Sequence, residues 1–540
     1  MKILNREEMQ QADRHTIEHV GIPGYALMEC AAQAMLEETE KYIADTFRPE
    51  REKAGPGIIK PSVTVLCGSG NNGGDGLVLA RRLEVRGIKT SSWLCRPSGN
   101  LKDEALKAYA AFIRAGFVLN ELNQDNAQEL NNIIEGSDYI IDALLGTGTR
   151  GAVSDPFRHI IEAVNRSRAR VISLDIPSGS DPDIADIICT IRADITLTVQ
   201  FPKTGAYLHP GAQNYGKLIT VDAGIIHQEN EHSPLRYLWD EKMHNEHSEA
   251  FSHSLADDHK GKNGRALIIG GSRNMTGAPI MTAMACARSG AGLISVATTE
   301  RGRASAQILI PEAMYTECEE SDGFIRHVLT PEDSDIIAVG MGLGRKEVSE
   351  NIISELLDSE HNILIDGDGL WFLKDMIQKL EGRKGITILT PHPGEMATLC
   401  SQTQEYIRNR RFEAARELST RYGIYVVLKG PYTITSCPDG TQYVNSSGNQ
   451  GLAKGGSGDI LSGMIAGRMA GIMKKKAIYK EERREYHVEI SESVIGRHIA
   501  DAVYLHGRAA DIITGRGRSI TGMLPTDILA EICLEQYFLK

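Results

Sequence analysis

Short apolar runs alternate with helix-forming stretches in two separate series, and this alternation constrains the fold more than any other feature of the chain. The first series starts at Val63. VTVLCG, KTSSWLC, DYIIDALLG, ARVISLDIPSG, DITLTVQF and GKLITVDAG read as strands, with LVLARRLEVRG, LKDEALKAYAAFIRAG and DPFRHIIEAVNRS as helices among them. The second starts at Arg265 with RALIIGGS and continues through LISVAT, SDIIAVGMGLG, NILIDGDGLWFL, GITILTPHPGEM and GIYVVLKG. Near-continuous apolar strands joined through helices imply parallel sheets covered on both faces. The expected class is therefore α/β, with two doubly wound domains at 1–226 and 259–540. Ligands of such sheets bind outside the carboxyl ends of the strands.

The rest of the chain is read around these series. Residues 1–46 form two helices, the second after Pro23-Gly24. Residues 227–258 are polar and rich in His and Glu; they read as a solvated linker rather than a metal site, because their spacing matches no ligand signature. Residues 472–498 carry mixed charge and read as a surface insertion. A formal net charge of −12 over 540 residues argues against nucleic acid and anionic membranes as partners. The nine cysteines are scattered with no CxxC pair, no apolar run approaches a membrane span, and the charged N-terminus lacks a signal-peptide core. A soluble, cytoplasmic protein is expected.

Chemistry concentrates where strands end. In the second series GNQGLAKGGSGDIL (Gly448–Leu461) leads from a glycine-rich turn into an apolar helix. Such a helix opening offers unpaired N–H groups to phosphate oxygens, and Asp459 stands there as a potential base. The Lys-Ser or Lys-Thr of a Walker loop is missing, which argues against that class of NTPase. Taken alone, the loop is more often a plain turn. Gly342, Gly344, Asp366, Asp368, His392, Glu395 and Lys429 stand at other exits of the same series. In the first series, Asn71, Asn72, Gly73, Gly74 and Asp75 follow one strand. Asp142 lies in another strand, followed by Gly146, Thr147, Gly148, Thr149, Arg150, Gly151 and Ala152, and Asp175 and Ser178 close a third. Turn and cap chemistry explains the asparagines and Asp75 individually. Asp142 and Asp175 are harder to explain that way, because a carboxylate near an apolar strand is costly without a partner.

NNGGDG, DALLGTG and DIPSG, in that order, resemble the NAD(P)H-hydrate epimerase family. TGAP, GMGLG, DGDGL, TPHPGE, VVLKG and GNQGLAKGGSGDILSG resemble the NAD(P)H-hydrate dehydratase family. The resemblance implies a Rossmann-like first domain and a ribokinase-like second one. The first would interconvert R and S hydrates of NADH and NADPH (NADHX, NADPHX). The second would dehydrate the S form with ADP or ATP, giving AMP and phosphate from ADP. It implies hydrate binding along Asn71 to Asp75, Gly146 to Ala152 and Asp175, with Asp175 as acid–base residue and Lys203 orienting the substrate. K+ would be held by Asn72, Asp142 and Ser178. In the second domain it implies hydrate contacts at Ala278, Gly344, His392 and Asp459, with Asp459 as base. Nucleotide contacts would be Lys429, Gly430, Pro431, Tyr432 and Thr433, then Asn449, Gln450, Gly451, Leu452, Ala453, Lys454, Gly455, Gly456, Ser457 and Gly458. Mg2+ is expected with ADP, and a homo-oligomer is expected. AKGGSGD stands where the family usually has ATGGTGD, and SDPDIADIICTIRAD departs from the usual segment after DIPSG. The alternative is a small-molecule kinase fused to a non-catalytic dinucleotide-binding module.

Overall fold

Strand β1 (Val63–Cys67) is buried at every residue, so it needs cover on both faces, and the computed structural model supplies it. The structure describes residues 1–48, 60–148, 151–185, 188–228, 235–251, 260–482 and 491–535. Two units divide the chain, Lys2–Ser233 and Pro234–Lys540, with Met1 counted in the second.

In the first unit, β1 is followed by β2 (Thr90–Leu94), β3 (Leu119–Glu121), β4 (Tyr139–Ala143), β5 (Arg170–Leu174), β6 (Ile195–Val199) and β7 (Lys217–Val221). All pair in parallel in the order β3-β2-β1-β4-β5-β6-β7. The chain runs outward from β1 and then returns to the other side of it at β4. That reversal opens a crevice where β1 and β4 end. Helix α1 (Arg6–Arg14) begins with a capping box between Asn5 and Glu8, α2 (Gly24–Thr46) follows Pro23, and α3 (Asn71–Val85) and α4 (Asp103–Arg114) come after β1 and β2. Met28, Ala32, Leu77 and Phe112 cover one face of the sheet; Leu130, Ile160 and Val164 cover the other. NNGGDG, which read as turn and cap chemistry after its strand, forms the opening turns of α3. Gly73 permits this tight entry, since a Cβ there would lie 1.9 Å from the Gly68 carbonyl oxygen.

The second unit contains β8 (Arg236–Trp239), β9 (Arg265–Ile269), β10 (Leu293–Ala297), β11 (Met314–Tyr315), a separate antiparallel pair β12 (Cys318–Ser321) and β13 (Phe324–Val328), then β14 (Ile336–Val339), β15 (Ile363–Ile365), β16 (Thr387–Leu389), β17 (Tyr425–Leu428), β18 (Ile434–Ser436) and β19 (Gln442–Asn445). The main sheet has the order β11-β10-β9-β14-β15-β16-β17-β18-β19-β8. It is parallel except where β18 runs against β17 and β19.

Two expectations are corrected here. Residues 236–251 are not a solvated linker: β8 extends the sheet beside β19, and the helix Glu241–Phe251 follows it. The polar composition misleads because its histidines are buried and paired. His244 Nδ1 lies 2.6 Å from Asp501 Oδ1 and His247 Nε2 lies 3.1 Å from His498 Nδ1. Arg468 joins Asp501 at 2.8 Å, and the cluster holds the Asp501 carboxyl down at about 2 although burial opposes it. The stretch 472–498 is likewise no simple insertion. The helices Ser457–Glu482 and Glu492–Gly515 run into it from either side and bury Ile472, Met473, Val494, Ile495 and His498; residues 483–490 lie outside the described ones.

The helix Ser457–Glu482 approaches the helix Gly277–Arg288 through glycines. A Cβ on Gly463 would lie 2.2 Å from the Thr282 carbonyl oxygen, and one on Gly467 would lie 2.4 Å from that of Cys286. Backbone cannot yield as a flexible side chain does, so any added carbon must push the helices apart. Gly463→Ala is expected to destabilise the second unit by about 1–3 kcal/mol despite alanine's better helix propensity. A denaturant midpoint equal to or above wild type would contradict this packing.

Candidate functional site

In the first unit a cavity of about 600 Å3 opens where β1, β4 and β5 end. Asn71, Asn72, Asp75, Gly146, Thr147, Gly148 and Asp175 line it, so loops from three strands and the start of α3 do meet. Gly73 and Gly74 are buried in helix packing and do not line it, and Gly151 and Ala152 are exposed outside it. Thr149 and Arg150 lie outside the described residues.

Asp175 has φ +63°, a left-handed conformation that costs a non-glycine residue energy, though less for aspartate than for most. Its Oδ1 accepts the Val199 N–H at 3.1 Å and is ion-paired with the ammonium of Lys203. Lys203 is 1% exposed and also bonds Thr198 Oγ1 and the Val199 carbonyl, so the pair is rigidly held. Burial pushes the Asp75 carboxyl well above its usual range, and the charges of Asp175 and Asp13 add to the shift. Behind the cavity, Asp142 is fully buried. It accepts from Ser178 Oγ (2.5 Å), Ser178 N–H (2.8 Å), Ser173 Oγ (2.8 Å) and Leu144 N–H (3.3 Å), while burial pushes its carboxyl upward. Asn72 donates from Nδ2 to the Leu145 carbonyl at 3.0 Å, and its buried Oδ1 has no partner.

In the second unit the exits of β14, β15, β16 and β17 stand side by side, beside the turn that opens the helix Ser457–Glu482. Gly456 adopts φ +103°, which lets the chain enter the helix at Ser457. Asp459 lies in the first turn, half-buried. Burial and then Asp366 push its carboxyl up to about 7, with Lys429 opposing them. Lys429 Nζ bonds Asp366 Oδ1 at 2.7 Å, and Ser462 Oγ donates to Asp366 Oδ2 at 2.8 Å. A Cβ on Gly458 would lie 3.5 Å from Lys429 Nζ, so the ammonium sits directly under the helix opening.

His392 caps the helix Pro393–Leu399: its Nδ1 accepts the Gly394 and Glu395 N–H groups at 3.0 and 3.2 Å. That assigns the proton of the neutral ring to Nε2, which lies exposed 3.4 Å from Glu395 Oε1. Burial raises the Glu395 carboxyl, against the pull of Lys429. Ala278 is half-buried, and its Cβ lies 3.0 Å from where a side chain on Gly342 would start. Gly344 (φ +82°) donates its N–H to Asp368 Oδ2 at 2.9 Å. A separate cavity of about 380 Å3 beside the start of β9, lined by Arg265, Tyr315 and Asp333, contains none of these groups.

Several positioning residues carry no sequence signal. Arg411, 3% exposed, donates to the carbonyls of Leu428 and Pro431 and thereby shapes Lys429 to Thr433, including Tyr432 at φ +53°. Asp511 accepts from Gly448 N–H and Asn449 Nδ2, both at 2.8 Å, and so holds the stretch that starts at Asn449. Lys454, which the sequence did single out, donates to the Thr521 carbonyl at 2.6 Å. Buried His506, beside Ser457, has its ring held down to about 4 by burial. In the first unit, Asp13 lines the cavity from α1.

Two family profiles match the chain. Residues 24–205 match the YjeF-related protein N-terminus, and 266–533 match NAD(P)H-hydrate dehydratase. The chain is similar to a protein of Thermofilum pendens named bifunctional NAD(P)H-hydrate repair enzyme, with 33% identity over 86% of this chain and 87% of that one. A protein of the same name from Moorella thermoacetica is 31% identical over 98% of this chain and 95% of its own. Among solved structures, an ADP/ATP-dependent NAD(P)H-hydrate dehydratase of Bacillus subtilis, co-crystallised with ATP/Mg2+, covers 53% of this chain and 94% of its own at 27% identity, with a TM-score of 0.42.

The raised Asp459 carboxyl has a consequence for stability. The folded state binds this proton more tightly than the unfolded chain, so its contribution is complete at low pH and is lost as pH rises from 3.8 through about 7. Asp459→Asn cannot ionise. At about pH 8 its thermal midpoint should exceed that of wild type, with the difference vanishing toward about pH 4. A variant less stable than wild type at the higher pH would contradict the burial described here.

Proposed function

The chain belongs to the family of bifunctional NAD(P)H-hydrate repair enzymes, and on that premise we propose how its two sites divide the work. The second unit dehydrates the S hydrate at the expense of a nucleotide, and the first interconverts the R and S hydrates. One observation carries the first half: half-buried Asp459 opens a helix behind a glycine turn, above the Lys429–Asp366 pair.

In the second unit, Asp459 takes the proton of the ring hydroxyl, for which a carboxyl poised near 7 is suited. The hydroxyl oxygen bonds the terminal phosphorus of ADP, and the bond to AMP breaks. The first-turn N–H groups, with Lys429 beneath them, face the charge that develops on the transferring group. The ring nitrogen then donates its lone pair, the C–O bond breaks, and phosphate leaves with the oxygen; the adjacent ring carbon next loses a proton to solvent, which forms the ring double bond and returns the electron pair to nitrogen. His392, with its ring proton on Nε2, can donate to the substrate while it caps its own helix. Arg411 and Asp511 keep the two nucleotide segments in place. Mg2+ is expected to arrive on the nucleotide's phosphates.

In the first unit, the hydrate occupies the cavity of about 600 Å3, with Asp175 as proton carrier oriented by Lys203. Oxygens of Asn72, Asp142 and Ser178 with the Leu145 carbonyl fit K+, a hard cation, and the orphaned Asn72 Oδ1 supports that assignment. Bound there, K+ would supply positive charge beside the substrate. A cavity with its own carboxylates favours catalysis over a silent binding module. Among the described residues no helix is long and apolar enough to cross a membrane; a cytoplasmic location is part of this proposal.

Wild type, given S-hydrated NADH, magnesium and ADP or ATP, should restore the NADH absorbance band. Asp459→Asn should slow this by roughly 10²–10⁴-fold, and normal turnover in the variant would refute the assigned base. For the first unit, replacing potassium with a large organic cation should slow conversion of the R hydrate and leave dehydration of the S hydrate unchanged. Equal loss of both rates would place the potassium effect elsewhere.

A further inference from the structure

Asp13 takes no part in the mechanism above, yet it shares the cavity of the first unit with Asp175. We propose that Asp13 is the second acid–base residue of the epimerisation, serving the face of the nicotinamide ring that Asp175 does not reach. The inference rests on the epimerase reading of this cavity.

Inverting the carbon that bears the hydroxyl requires oxygen to leave one face and return to the other. A single carboxylate could serve both faces only by swinging between them, and the bonds of Asp175 oppose that. It is held by its left-handed backbone, by the Val199 N–H and by Lys203. A second proton carrier therefore has to come from a different wall.

Helix α1 provides that wall. Met9, Gln10, Asp13 and Ile17 all line the cavity, at spacings that put them on one face of the helical segment. The Asp13 carboxylate makes no hydrogen bond or ion pair with any described residue, so nothing else occupies it. The helix itself is well anchored: Arg6 bonds Asp181 Oδ2 from its guanidinium and Asp183 Oδ1 from its N–H, both at 2.9 Å. Thr16 Oγ1, just beyond, accepts the Ile226 N–H at 2.9 Å. Asp181 and Asp183 belong to the segment that departs from the family pattern, which gives that segment a role in presenting Asp13.

The charges around Asp13 suit the task. Asp75, Asp175 and Glu104 line the same cavity, with Lys203 behind Asp175. Burial, then Asp175, push the Asp13 carboxyl up to about 6, with Lys203 opposing. Asp13 thus holds a proton over part of the neutral range while Asp175 stays paired with an ammonium. One carboxyl that carries a proton and one that faces an ammonium can act as acid and base. Asp13 gives its proton to the hydroxyl facing it, the C–O bond breaks, and the ring nitrogen lone pair forms C=N as water leaves. A water then adds from the other face and gives up a proton to Asp175. A C–O bond forms there, and the C=N electron pair returns to nitrogen. The net change is one proton moved from Asp13 to Asp175, restored through solvent.

The test uses the full chain and the R hydrate of NADH, with epimer ratios followed by chromatography across pH. Wild type should lose rate as pH rises above about 6, where Asp13 gives up its proton. Asp13→Asn should slow epimerisation by roughly a hundredfold or more and abolish that limb. Asp13→Glu should retain measurable rate with the limb displaced. A rate within threefold of wild type in Asp13→Asn, or a limb unchanged in it, overturns the proposal. If Asp13→Asn does not fold, Asp13→Glu decides, since an unchanged rate and limb there also overturn it. Wild type that fails to epimerise at all sinks the epimerase reading, and this proposal with it.

Discussion

Each unit places a lysine where its strands end, fully buried in the first and largely covered in the second, and each lysine is held by an aspartate from another strand exit. Leaving such an ammonium unpaired would cost several kcal/mol. Lys203 therefore requires Asp175, and Lys429 requires Asp366. These pairs set one carboxylate of each cleft beside an ammonium and leave another without an ion pair. In the first unit Asp175 is tied and Asp13 is not. In the second Asp366 is tied, and Asp459 sits beside the pair with its carboxyl raised. The chemistry follows from how two positive charges are neutralised.

Around those pairs the structure spends side chains on holding backbone. Arg411 fixes the segment after Lys429, Asp511 fixes the glycine loop at its start, and Gly463 lets the helix that follows that loop pack closely on the helix Gly277–Arg288. Arg6 and its two aspartates do the same for α1. Such residues touch no reacting atom, yet the site is only as well placed as they make it.

The sequence was a good guide wherever function coincides with topology. Parallel strands must end at the same edge, so Asn71, Asp75, Gly146 and Asp175 could be grouped before any coordinates existed, and all four line one cavity. It was a poor guide where burial reverses the meaning of composition. The histidines of 227–258 look solvated because they are polar, but His244 and His247 are buried against Asp501 and His498. NNGGDG looks like a loop because glycine is common in loops, but Gly73 and Gly74 are there to let a helix start against the sheet.

By itself the sequence determined the α/β class, the two strand–helix series, and the carboxylates and glycines at strand exits, because periodicity and turn chemistry are local properties. Only the tertiary structure decided that Asp13 shares a cavity with Asp175, that Lys429 lies beneath the opening of a helix, and that Arg411 and Asp511 hold the loops. Those facts depend on how helices dock against sheets, and the docking angle of a helix is set by packing along its whole length rather than by the residue that ends up in the site.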